Sequence, residues 1–88
     1  MANVNSIRYA SHPGVYVKDA LIELGMSQEE FASRSGLSLS SVTEIINGKC
    51  PITLDSAVKL GDFFHNGFDG WLGLQSRYDL YMKSIEGK

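Results

Sequence analysis

Between Gln28 and Asn47, two short helical patterns meet at a single glycine, and their apolar residues fall where two crossed helices must touch. Phe31 and Ala32 lie on the first pattern, Gly36 and Leu37 in the turn, and Val42 and Ile45 on the second. The second helix has to cross close to Ala32, where a larger side chain would push the pair apart. A tight turn after a helix needs φ > 0, which costs glycine almost nothing and accounts for Gly36. A glycine between two apolar helices is common by itself. Here the small residue, the glycine and four apolar positions share one register, and together they predict a helix-turn-helix that points to DNA.

In that geometry the second helix is the one offered to the major groove. Val42, Ile45 and Ile46 are expected to face inward, which leaves Leu39, Ser40, Thr43, Glu44 and Asn47 facing out. Hydroxyls donate to or accept from base edges and phosphates alike, so their code is loose. Leu39 suits contact with a thymine methyl. Glu44 can accept from cytosine N4 yet repels phosphate, and its plainer reading is a solvated helix residue. Gln28 is placed to reach a phosphate from the start of the first helix. Lys49, just after the second, is the clearest phosphate cation.

Charge complicates this picture. The 88-residue chain carries a net −2, and between Gln28 and Lys49 two cations face three carboxylates. DNA-binding domains are commonly basic, and phosphate contact supplies most non-specific affinity. A monomer should therefore bind weakly, while a dimer doubles the contacts and can add helix N-termini. An acidic balance also suits a basic protein partner. An interaction module without DNA binding is the reading from another class.

The length allows one small core, and an apolar share of 43% is ordinary for a globular domain. No apolar run approaches the roughly 20 residues needed to span a bilayer. The N-terminus lacks the basic start and apolar stretch of a signal peptide. Cys50 stands alone and fits a reducing compartment. A cytoplasmic all-α protein without membrane contact is expected.

Residues 1–11 are polar with scattered Val4, Ile7 and Tyr9, and predict a flexible N-terminal arm before a domain over 12–86. Pro13 fits a first helical position, Val17, Ala20, Leu21 and Leu24 recur at helical spacing, and Gly25 closes the first of five helices. Ser27 is a strong N-cap, with Glu30 completing a capping box. Ser38 caps the third helix, which stops at Asn-Gly-Lys. Thr53 or Ser56 caps the fourth, Thr53 being better placed, and Ala57, Leu60, Phe63 and Phe64 supply its buried side. His65-Asn66-Gly67 breaks it, and a fifth helix runs from about Phe68 to Ser84.

That last helix carries Trp71, Leu74, Tyr78 and Tyr81 on one stripe, with Phe68, Leu72 and Met82 on another. Two stripes exceed what one small core needs. Part of the aromatic stripe is expected in the core and the remainder in a dimer contact, where a rigid apolar body with a polar tip suits partial burial. Enzyme readings fare poorly. His12, His65 and Cys50 are widely separated without metal-ligand spacing, the acidic residues form no paired constellation, and no glycine-rich phosphate loop is present. No catalytic residue, metal or cofactor is expected.

The Ser-Gln start and Asn-Gly-Lys finish of the helix-turn-helix resemble the lambda-repressor-like (Xre/Cro) class. Two flanking segments narrow the likeness: His12-Pro13-Gly14, and Trp71-Leu72-Gly73-Leu74-Gln75 followed by Tyr78-Asp79-Leu80. Together they resemble the HigA antitoxins, also known as VapI or plasmid-maintenance antidote proteins, over about residues 12–82. The resemblance implies a homodimer on a palindromic operator in its own promoter. It also implies a small basic HigB/RelE-like toxin that cleaves mRNA and is held inactive by the antitoxin. Mapped onto matching positions, DNA contact falls to Gln28, Ser38, Leu39, Ser40, Thr43, Glu44, Asn47 and Lys49. Dimer contact falls to Phe68, Trp71, Leu74, Tyr78 and Tyr81. The chain departs from the family at Val15, Glu44 and Phe68, where acidic, basic and proline residues are frequent. A stand-alone or phage-borne Xre-type regulator without a toxin is the alternative.

Overall fold

The computed structural model describes residues 11–86, and these form five helices with no strand among them. Helix α1 spans Gly14–Leu24, α2 Gln28–Ser35, α3 Leu39–Ile46, α4 Leu54–Phe64 and α5 Phe68–Glu86. The arm expected over residues 1–11 lies outside the described residues apart from Ser11.

Local chemistry explains most of the boundaries. Ser27 Oγ accepts the Glu30 N–H at 3.1 Å, and Ser38 Oγ accepts the Ser41 N–H at 3.1 Å, each satisfying a donor that a helix start leaves open. The capping box expected at Ser27 is not completed. The Glu30 carboxylate instead meets Arg34 one turn on, at 3.1 Å, where opposite charges four residues apart attract. Thr53 and Ser56, expected as alternatives, act together. Each hydroxyl accepts the other's backbone N–H, closing a full capping box at the start of α4. Pro13 is the N-cap of α1, one residue before the helix proper. At the end of α4 the left-handed residue is His65, with φ 59°, rather than the glycine two residues on.

One core unites the helices. Val17 and Leu21 of α1, Phe31 and Ala32 of α2, Leu37 of the turn, Val42 and Ile45 of α3, and Ala57 and Leu60 of α4 are buried together with Ile52 and Trp71. Aromatic rings continue this core outward. Phe31 meets Phe63 edge-on at 4.9 Å between centroids, and Phe64 bridges Phe31 to Trp71 at 5.8 and 5.7 Å. Leu24, which shares the helical spacing of Val17 and Leu21, is nonetheless exposed.

Trp71 corrects the assignment of the last helix. The family resemblance puts it among the dimer contacts, but the single chain buries it to 7% exposure and its indole N–H donates to Asn66 Oδ1 at 3.0 Å. It lies in the first turn of α5, which packs against α4, and its ring rests against Phe64. Trp71 is core. Past Gln75 no described residue of α5 is buried, and Leu80 and Ile85 are exposed apolar residues.

Gly14 fixes how α1 meets α3. A Cβ there would collide with the Ile45 carbonyl, whose carbon would be 2.7 Å away. Only glycine allows the first turn of α1 to rest on the last turn of α3.

Candidate nucleic-acid interface

The second helix of the unit shows one face to the core and one outward. Val42 and Ile45 are buried, Ile46 packs partly against the core, and Leu39, Ser40, Glu44 and Asn47 are exposed. Thr43 is half-buried, and its hydroxyl donates to Gln28 Oε1 at 2.9 Å. The first residue of α2 is thereby joined to the exposed side of α3. With its carbonyl oxygen engaged, Gln28 keeps an amide NH2, a donor suited to phosphate oxygens or base acceptors.

The two candidate serines are not equivalent. Ser38 donates its hydroxyl proton to Ser41 Oγ at 3.0 Å while accepting the Ser41 N–H. A phosphate oxygen only accepts, so Ser38 can donate to one only by giving up its bond to Ser41. Ser40 lies exposed on the outer face and carries no such duty in the cap.

Lys49 stands on a closely specified turn. The Gly48 N–H donates to Ile45 O at 3.0 Å and the Lys49 N–H to Glu44 O at 2.8 Å, a Schellman pair that ends α3, with Gly48 at φ 72°. Arg34, the other cation of the unit, is paired with Glu30, whereas no carboxylate lies within ion-pair distance of Lys49 among the described residues. Glu44 lies close enough to affect its neighbours. Burial pushes the Cys50 thiol pKa up, and the Glu44 charge raises it further.

The segment beyond Lys49 is held by two side chains whose roles the sequence did not disclose. His12 has Nδ1 accepting the Gly14 N–H at 2.9 Å. Its Nε2 therefore carries the proton and donates it to the Cys50 carbonyl, also at 2.9 Å. The ring's edge contacts Tyr78, with centroids 5.1 Å apart. Gln75 is buried and accepts the Ile52 N–H at 2.7 Å. The only hint of either role was membership in the His-Pro-Gly and Leu-Gln segments.

Among the remaining candidates for partner contact, Phe68 is exposed, while Leu74, Tyr78 and Tyr81 are half-buried along α5. No group of His, Cys, Asp or Glu among the described residues could hold a metal ion. None of their helices is long and apolar enough to cross a membrane.

A helix-turn-helix family model matches residues 17–71, which covers α2, the turn and α3 together with α4. The chain belongs to the Xre-like helix-turn-helix family. This family member is 40% identical over 70 residues to Virulence-associated protein A' of Dichelobacter nodosus, covering 78% of the chain but 61% of that protein. The chain thus spans less than two thirds of that relative's length. Its structural neighbours are antidote proteins of the HigA type. An addiction module antidote protein of a HigA family from Coxiella burnetii is 35% identical, with a TM-score of 0.79 over 89% of this chain and 92% of that one. The Pseudomonas aeruginosa antitoxin HigA, solved with the higBA promoter, is 29% identical, with a TM-score of 0.83 over 89% and 86% of the two chains. The fold is a DNA-binding helix-turn-helix fold like that of these antitoxins.

Proposed function

We propose that this chain is a sequence-specific DNA-binding antitoxin that autorepresses its operon and neutralises a small basic mRNA-cleaving toxin of the HigB/RelE-like type. The observation that carries the DNA half is the exposed face of α3, with Thr43 tied to Gln28 and Lys49 placed at its end. Base reading falls to Leu39, Ser40, Thr43, Glu44 and Asn47, and phosphate contact to Gln28 and Lys49. Ser38 contributes through the cap it makes. Few cations mean that one copy binds weakly, so a homodimer grips a palindromic operator with its two α3 helices about 34 Å apart. Exposed and half-buried apolar residues of α5, Phe68, Leu74, Tyr78 and Tyr81, supply the dimer contact. The protein acts in the cytoplasm as a binder rather than an enzyme.

The toxin half is supported by the antidote and antitoxin names of the structural neighbours and by the chain's acidic balance. Co-expression with the adjacent reading frame tests it. The expected result is a toxic neighbour whose effect this chain relieves and with which it co-purifies. A harmless neighbour that does not co-purify would leave a stand-alone Xre-type regulator.

A further inference from the structure

The geometry points to Gln75 and Asp79 of α5 as positioning residues for the Lys49 turn, so that the last helix sets how well the chain grips a phosphate. This rests on the DNA-binding reading above. From Lys49 to Thr53 the chain leaves α3 and enters α4 without helical hydrogen bonding of its own. Its near end is closed by the Schellman pair at Gly48 and Lys49. Its far side is held by Gln75 Oε1 on the Ile52 N–H at 2.7 Å, with His12 on the Cys50 carbonyl between them.

The Ile52 N–H can be met only by the Gln75 amide oxygen, so the bond depends on which way the amide is held. Its Nε2 donates to Asp79 Oδ1 one turn further along α5, at 2.8 Å. A carboxylate accepts only, so Asp79 forces the nitrogen to its own side and turns the oxygen towards Ile52. Asp79 is exposed and makes no bond to the turn, yet it anchors the Gln75 amide in the one orientation whose oxygen the Ile52 N–H can use. The Ile52 side chain is itself buried, so the amide it carries cannot look to bulk water for a replacement without moving. Release of that bond frees the backbone two to three residues from Lys49. A cation on a looser turn loses more freedom when it meets a phosphate, and binding weakens.

The sign of one substitution separates positioning from charge. Removing a carboxylate near a DNA-binding face should, by electrostatics alone, strengthen binding. Asp79→Asn removes the charge but keeps an oxygen that accepts from Gln75, whereas Asp79→Ala removes both. Positioning predicts that Asp79→Asn binds promoter DNA at least as well as the wild type. Asp79→Ala should bind several-fold more weakly, with a shallower salt dependence, and the difference should vanish when Lys49→Ala is also present. In the free protein, hydrogen exchange at the Ile52 amide should accelerate in Asp79→Ala and not in Asp79→Asn. Equal or tighter binding by Asp79→Ala, or a loss that simply adds to that of Lys49→Ala, would overturn the role in DNA grip. Unchanged Ile52 exchange in Asp79→Ala would overturn the positioning itself. If the wild type binds no promoter DNA, the DNA-binding reading fails, and the exchange comparison still decides whether Asp79 and Gln75 hold the turn.

Discussion

Thr43 Oγ1 lies 2.9 Å from Gln28 Oε1, so the first residue of α2 and the outer side of α3 form one polar unit. Thr43→Val keeps the branched shape and removes the donor. It should weaken operator binding by about 1 kcal/mol, the usual worth of one such bond, and leave stability in urea nearly unchanged because the bond lies at the solvent-facing surface, with Gln28 exposed. Thr43→Ser should restore most of the affinity. Comparing promoter titrations with urea midpoints for the three proteins checks this.

Glycines of opposite kinds give opposite stability changes. Gly14→Ala drives a methyl into the Ile45 carbonyl and should cost at least about 2 kcal/mol, as overpacking does. Gly73 sits exposed within α5, and a Cβ there would meet nothing within 4 Å. Gly73→Ala should therefore add roughly 0.5–1 kcal/mol through helix propensity. Denaturant unfolding of both variants measures the contrast.

The α2–turn–α3 unit was legible because its determinants are local. Ala32, Gly36, Val42 and Ile45 each act within a few residues, and Ser27 and Ser38 cap at the spacing their helices require. The roles of His12 and Gln75 were not legible. Their partners are the Cys50 carbonyl and the Ile52 N–H, 38 and 23 residues away, and backbone groups carry no residue-type signature. Periodicity likewise placed Trp71 on a stripe without saying whether α4 or another molecule would cover it. For Glu30, two local rules competed, and the charge one turn on prevailed over the cap.

Cys50 gives a chemical handle on the end of α3. Burial and the Glu44 charge both raise its pKa, so less thiolate is present at a given mildly alkaline pH and alkylation should be slow. Glu44→Gln removes the smaller of the two causes. The pH profile of iodoacetamide labelling should move to lower pH in that variant, while remaining above that of an unfolded control. A profile that does not move would place the Glu44 carboxylate too far away to act on Cys50.

Lys49 and Glu44 should differ in kind when DNA is varied. Lys49→Ala should weaken every duplex similarly and reduce the salt slope by about one. Glu44→Ala should instead change the preference at particular base pairs, with cytosine discriminated least. A panel of single-base operator variants, titrated with each protein, separates the two patterns.

Titration of the chain's own promoter duplex and a scrambled duplex, from low to moderate salt, tests the central claim most directly. The account predicts a promoter complex that weakens with salt but persists at moderate salt, formed by two copies of the chain, while the scrambled complex is lost. Equal affinity for the two duplexes, or no complex with either at low salt, would contradict it.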